Sequence, residues 1–354
     1  MQFQAERLVF ARRRRQLNQT ELAERVGLAA RTIQRYERGK ETPSQAALER
    51  LSRELAFPPE FFFETKALPE IPNRALSFRA YSRLPARSRD NAVAVAQLCV
   101  DIAEHLSDLF EFPELDVPDL SEVAATRPRE AARILRDEWA LGQGPIRNVV
   151  HLLEKHGVRV FSLSDDVADV DAFCFWSGGQ AFVVLNLRKS GERGRFDGCH
   201  ELAHLVLHRH IDFRTRDVEK EADTFASEFL VPEDSLRSQL PPVITLDTVM
   251  KLKRYWKVSA MAMVRRLKDI GRLSDWSYRS FCMQLTKEGY RKEEKDGIER
   301  EVSSLLEDVF SPGRDGISVT DVARALRLRP SDISPLVFDL PQRRGHLRLI
   351  RVGR

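Results

Sequence analysis

The chain has 354 residues, 42% hydrophobic and 31% charged, the proportions of a globular protein with room for two or three domains. No apolar run reaches the roughly 18 residues of a spanning helix, and the charges of "MQFQAERLVFARRRR" follow its apolar residues instead of preceding them, unlike a secretory leader; the expectation is a cytoplasmic protein with no membrane contact. A net charge of +4 excludes a polycation, and Cys99, Cys174, Cys199 and Cys282, with no C-x-x-C pair, suggest buried free thiols in place of a disulfide framework or thiolate zinc knuckle.

In chain order, residues 3 to 15 predict a helix that ends in the run Arg12 to Arg15, followed by "QTELAERVG" closed by Gly27 and "AARTIQRYERG" closed by Gly39. Pro43 fits the first turn of a helix over "SQAALERLSRELAF", and "PPEFFF" closes an all-helical unit. Residues 65 to 90 read as a connector with enough aromatic content to pack on its neighbours. "DNAVAVAQLCVDIAEHLSDLF" predicts a long helix suited to core packing, a spacer or a dimer contact. A mixed α+β region begins near 128, with two helices and a strand at "VRVFSLS". "DAFCFW" and "AFVVLN" flank "SGGQ", a hairpin signal because glycine supplies positive φ, and a short antiparallel sheet is expected. Helices follow over "GERGRFDGCHELAHLVLH" and "VEKEADTFASEFLVP", the second stopped by Pro232, and continue through "MKLKRYWKVSAMAMVRRLKDIG".

In "GCHELAHLVLHRH", His200 and His204 are four apart and share a helix face, so both imidazoles can address one ion. Glu201 lies beside them, free to act as a base toward water instead of ligating, which is why H-E-x-x-H recurs in zinc hydrolases. The best third ligand is Glu219, fifteen positions past His204, on a helix that crosses back over the first; Ala222 and Ala226 permit close approach and Phe225 and Phe229 supply core. Asp223, one turn on, can accept a hydrogen bond from a ligand imidazole. Glu221 lies on another face. His208, His210 and His156 read as non-ligands, surface or hydrogen-bonded, because a fourth protein ligand closes the position that a catalytic centre keeps open. Cys199, rotated about 100° from His200, reads as packing.

"RFDGCHELAHLVLH" followed by "VEKEADTFASEFLVP", with "REAARILRDEWALGQGPIRNVVHLLEKHGVRV" upstream and a strand ending at Asn186 just before the motif helix, resembles the ImmA/IrrE family of metallopeptidase domains. The resemblance reaches about residue 295 and implies a small thermolysin-like, gluzincin fold with one Zn2+ per chain, other divalent metals being possible. It implies His200, His204 and Glu219 as ligands, Glu201 as general base and Asp223 as orienting carboxylate. Characterised members of the family cleave transcriptional repressors. The strand "AFVVLN" is expected to hold an extended peptide by edge pairing. No residue singles itself out for the oxyanion.

"LNQTELAERVGLAARTIQRYERGKETPSQAALERLSREL" resembles the Xre/Cro type of helix-turn-helix over residues 6 to 64. The resemblance implies that the third helix enters the major groove, with Arg31, Thr32, Gln34 and Arg35 as base or phosphate contacts and Ile33 and Tyr36 turned inward. Gln19 is expected to hydrogen-bond a phosphate, and those of Arg12 to Arg15 on one side of the helix to add phosphate contacts.

The expected organisation is multidomain and mainly α with an α+β part: an all-helical head at 1–64, a helical connector at 65–127, a zinc peptidase domain with a helical extension at 128–295, and a C-terminal subdomain at 296–354 of unassigned role, superficially a winged-helix pattern but read as a docking or sensory subdomain. The expected function is a DNA-binding transcriptional regulator whose endopeptidase domain cleaves a repressor or other regulatory protein in a stress, phage or mobile-element response, with a double-stranded operator and a homodimer on it. Two alternatives remain open, a regulator whose metal domain is a sensor or scaffold and cuts nothing, and an antitoxin-like partner-binding component of a small operon.

Overall fold

A computed structural model describes residues 2–71, 85–124, 127–163, 170–209, 216–291, 293–311 and 316–340. Part of the expected connector (72–84), His210 and the expected strand in 346–352 lie outside the described residues.

The head is four helices, α1 (Ala5–Arg14), α2 (Gln19–Val26), α3 (Ala30–Glu37) and α4 (Gln45–Leu55), closed by a 3-10 turn at Pro59–Phe63. Asn18 and Glu21 set the start of α2 reciprocally, the Asn18 side chain accepting from the Glu21 amide at 2.8 Å and Glu21 Oε2 from the Asn18 amide at 2.8 Å. Ser44 caps α4 by accepting from the Ala47 amide, so Pro43 lies just before the cap and not in the first turn. Ile33 and Tyr36 turn inward and join Leu8, Leu22, Leu51, Phe57 and Phe61 in the core.

The long helix α5 (Ala86–Ser107) is a core element, with Ala92, Val95, Leu98, Cys99, Ile102 and Leu106 buried and one side packed on α1. Beyond it come α6 (Ser121–Ala124), α7 (Pro128–Glu138), α8 (Val149–Lys155) and the strands β1 (Arg159–Ser162), β2 (Ala172–Ser177) and β3 (Gln180–Leu185). Gly178 and Gly179 take positive φ, 56° and 79°, and turn β2 into β3 as an antiparallel hairpin.

The sheet itself departs from expectation. Its order is β1-β3-β2, and β1 pairs with β3 in parallel, Arg159 opposite Phe182 and Ser162 opposite Leu185, so the sheet is mixed. The hairpin fixes only one side of β3, and β1 reaches the other side running the same way because the chain crosses over between β1 and β2. A strand paired on both sides has no free ladder, so β3 cannot take an extended peptide by edge pairing.

Below the sheet lies α9 (Gly191–Leu207), against β2, β3, α8 and the antiparallel α10 (Arg216–Leu230). A side chain at Gly191 would put its Cβ 2.5 Å from the Glu299 carbonyl, so only glycine lets α9 begin where the chain returns past it. That returning segment is bound in: Glu301 meets the buried Arg195 guanidinium and accepts from the Val149 and Val150 amides at the start of α8. Arg136 donates to the carbonyls of Gly142, Gly144 and Phe229, tying α7 to α10. Helices α11 (Glu233–Ser238), α12 (Leu246–Trp256), α13 (Ala260–Asp269) and α14 (Asp275–Lys287) extend this body.

The C-terminal helices α15 (Ser304–Val309), α16 (Val319–Ala325) and α17 (Pro330–Ile333) connect head and body. Asp332 on α17 receives Arg15 of α1 at 2.7 Å, and Arg327 reaches Glu64 at 3.0 Å. On the other side the Ser162 hydroxyl of β1 donates to the Pro335 carbonyl at 2.6 Å and accepts from the Phe338 amide at 2.7 Å. No described helix is long and apolar enough to cross a membrane.

Candidate metal centre and nucleic-acid interface

His200 and His204 sit one turn apart on α9 with Nε2 atoms 3.1 Å from each other, both rings buried. From α10, Glu219 brings Oε2 to 3.4 Å from His200 Nε2 and Oε1 to 3.5 Å from His204 Nε2. Zinc bonds of about 2.0–2.1 Å in a tetrahedron put ligand atoms about 3.3 Å apart, so these three edges have the size of one coordination sphere. Both Glu219 oxygens are buried without a hydrogen-bond partner. A buried carboxylate is costly unless a cation or donor meets it, and two imidazole nitrogens facing it complete a donor set that a divalent metal fits.

The electrostatics set the two imidazoles apart. Burial works against protonating His200, but its hydrogen bond to the Asp223 carboxylate and the nearby Glu219 carboxylate overcome it and raise its pKa to about 9. At His204 burial prevails and lowers the pKa to about 4. Burial disfavours the Glu219 anion, yet the two imidazoles more than offset this and hold its pKa well below the usual carboxylate range. Asp223 Oδ1 lies 3.0 Å from His200 Nδ1, the contact that leaves Nε2 for a metal. Glu201 is 3% exposed, close enough for its charge to raise the His200 pKa. Cys199 is a buried thiol whose pKa burial pushes up to about 12, a packing residue.

Two residues set aside in the sequence return here. His208 is fully buried, its Nδ1 3.0 Å from His204 Nδ1 and its Nε2 2.9 Å from Glu221 Oε2. The signal was the stripe 200, 204, 208; what it lacked was where α10 crosses it. His156 is buried, stacked on Trp139 with centroids 3.9 Å apart and bonded to Asp116, far from any ligand role. Asp223 also stands in the wall of a cleft of about 700 Å³ lined with it by Phe196, Thr224, Ser227, Val258 and Met261.

Two family models match the chain: the IrrE N-terminal-like domain, Peptidase_M78, over residues 153–268, and a helix-turn-helix over residues 10–62. The chain joins a helix-turn-helix domain to a Peptidase_M78 domain. No curated protein matches it. The M78 domain is of the metallopeptidase type, a family that implies a divalent metal, commonly zinc, and the cluster of His200, His204 and Glu219 falls within it.

In the helix-turn-helix domain, α3 presents Arg31 and Arg35 to solvent, with Thr32 and Gln34 half-buried. Arg35 pairs with Glu41 at 3.1 Å. No side chain caps the start of α3 and no acidic residue lies in its first turn, leaving amides for an anion. Gln19 donates to Glu37 Oε2 at 2.6 Å, which anchors α2 to α3.

Three of the four arginines in the run are engaged within the protein. Arg12 is taken by Glu37 and the Leu17 carbonyl, Arg14 is 2% exposed and donates to Asn91 on α5, and Arg15 donates to the Leu55 carbonyl and Asp332. Because α1 is sandwiched between the rest of the head and α5, three of these cations are packing anchors; Arg13 stays half-exposed, 3.5 Å from Asp90. Arg14→Ala is therefore expected to cost about 1.5–3 kcal/mol of stability, the range for a charged hydrogen bond, without changing the salt dependence of duplex binding. Arg31→Ala should instead weaken binding by about 1–3 kcal/mol. Denaturant titration and fluorescence anisotropy across a salt series separate the two, and a salt slope that falls in Arg14→Ala would contradict the assignment.

Proposed function

We propose that the protein is a DNA-binding regulator whose M78 domain is a zinc endopeptidase that cleaves another regulatory protein, a repressor being the class that fits best. The observation that carries this is Glu201, a buried carboxylate adjoining a complete two-histidine, one-glutamate donor set. A purely structural zinc site has no use for a base in that place. Bound there, zinc supplies Lewis-acid polarisation of the peptide carbonyl and of water. His200, His204 and Glu219 hold it, and Asp223 fixes the His200 ring. Glu201 accepts the proton of the water that attacks the carbonyl and returns it to the leaving amine nitrogen. The cleft beside Asp223 admits the substrate chain. Arg31, Thr32, Gln34 and Arg35 read or grip the operator, with Gln19 positioned through Glu37, and a homodimer places two heads on a two-fold site. We also take 1–64, 65–127, 128–295 and 296–354 as the working units of the chain. Joining head and peptidase raises the local concentration of the protease near an operator-bound substrate.

The test is profiling of new protein N-termini in cells expressing wild type or Glu201→Gln at equal levels. A product seen only with wild type is expected and names the substrate. If no product differs while both forms occupy the same DNA and bind zinc, proteolysis is wrong and the regulator uses its metal domain as a sensor.

A further inference from the structure

The two histidines of the centre are supported differently. His200 leans directly on a carboxylate, Asp223, whereas His204 Nδ1 meets another imidazole, His208 Nδ1, at 3.0 Å. Two nitrogens at that distance share one hydrogen. For His204 Nε2 to offer its lone pair to a metal, its proton must sit on Nδ1, which then donates to a proton-free His208 Nδ1. The proton of neutral His208 is thereby placed on Nε2, where the Glu221 carboxylate accepts it at 2.9 Å. One arrangement satisfies all three groups, and its far end is an anion that can only accept.

We infer that His208 and Glu221 form a positioning relay that fixes the tautomer and orientation of His204, doing through an intervening imidazole what Asp223 does directly for His200. His208 is fully buried and Glu221 is 29% exposed, so the relay is shielded along most of its length. It also explains why α10 turns three carboxylates from one short stretch toward α9, Glu219 to the shared focus of His200 and His204, Asp223 to His200 and Glu221 to the relay. Partners of this kind set metal affinity by about 10- to 100-fold.

This rests on the metal-centre reading, and the experiment separates the two. Zinc affinity of the full chain is measured by competition with a chromophoric chelator, together with the visible spectrum of the cobalt form and the melting temperature of the metal-free protein. His208→Leu keeps bulk but has no hydrogen bonds; His208→Gln can accept from His204 through its carbonyl and donate to Glu221 through its amide. The relay predicts about 10- to 100-fold weaker zinc binding and a shifted cobalt spectrum in His208→Leu, an intermediate loss in Glu221→Gln, and affinity within a few-fold of wild type in His208→Gln. Wild-type affinity and spectrum in His208→Leu, or equal losses in Leu and Gln, would overturn the relay and leave the centre standing. A wild type that binds no zinc, indistinguishable from His204→Ala, would overturn both.

Discussion

Glu201→Gln is expected to lower peptide cleavage by about 100- to 10,000-fold, the contribution of a positioned general base, while zinc stoichiometry and duplex affinity stay at wild-type values. Glutamine matches the shape of the carboxylate and cannot take a proton, so the change isolates proton transfer from packing. Glu201 is buried between ligand positions without being one of the three donors, which is why metal should survive. His204→Ala is the contrast, since it removes a donor and should lose metal and activity together. The measurement is steady-state cleavage of a peptide spanning the mapped site, with zinc counted on the same samples. Activity within about tenfold of wild type would remove Glu201 from the base role; loss of zinc in the same variant would make it a ligand instead.

How far the sequence carried the reading depends on the range of each interaction. His200, His204 and Glu201 are local to one helix and follow from a four-residue period. Glu219 and Asp223 also follow, because a single helix crossing back needs only the right separation from His204. The His208 to Glu221 contact was missed for a geometric reason: with Glu219 aimed at the ligands, helical spacing turns Glu221 to another face, and only the lateral offset of α10 along α9 brings it over His208. The order β1-β3-β2 was likewise beyond local signals, since "SGGQ" specifies the hairpin and says nothing of which strand meets its other side. The arginine run was legible only in part because charge counted along a chain does not say what flanks the helix. Asn91 and Asp332, 77 and 317 residues away from their partners, decide the fate of Arg14 and Arg15.

Glu228→Ala should be the most destabilising single change in the M78 domain, at about 3–5 kcal/mol, because it strands a buried cation. Glu228 is fully buried and holds the Arg266 guanidinium, itself 2% exposed, as well as Arg133 at 2.9 Å and the Glu233 amide at 3.2 Å. Arg266 also donates to the Val231 carbonyl at 3.0 Å, so the pair locks the C-terminal end of α10 to α13 while Arg133 draws in α7. The ion pair is not valuable for its Coulomb energy, which desolvation largely cancels; removing one partner is costly because the other cannot return to water. A double change, Glu228→Leu with Arg266→Met, should therefore recover much of the loss. The same helix carries Glu219 and Asp223 nearer its start, so the lock bears on the metal centre. On the proposed zinc site, whose three donors come together only in the folded domain, zinc at about 100 times its Kd should restore about 2.7 kcal/mol to the single variant. Denaturant unfolding of the single and double variants, with and without zinc, checks each step. A single variant within about 1 kcal/mol of wild type would mean that Arg266 finds another partner when Glu228 is gone.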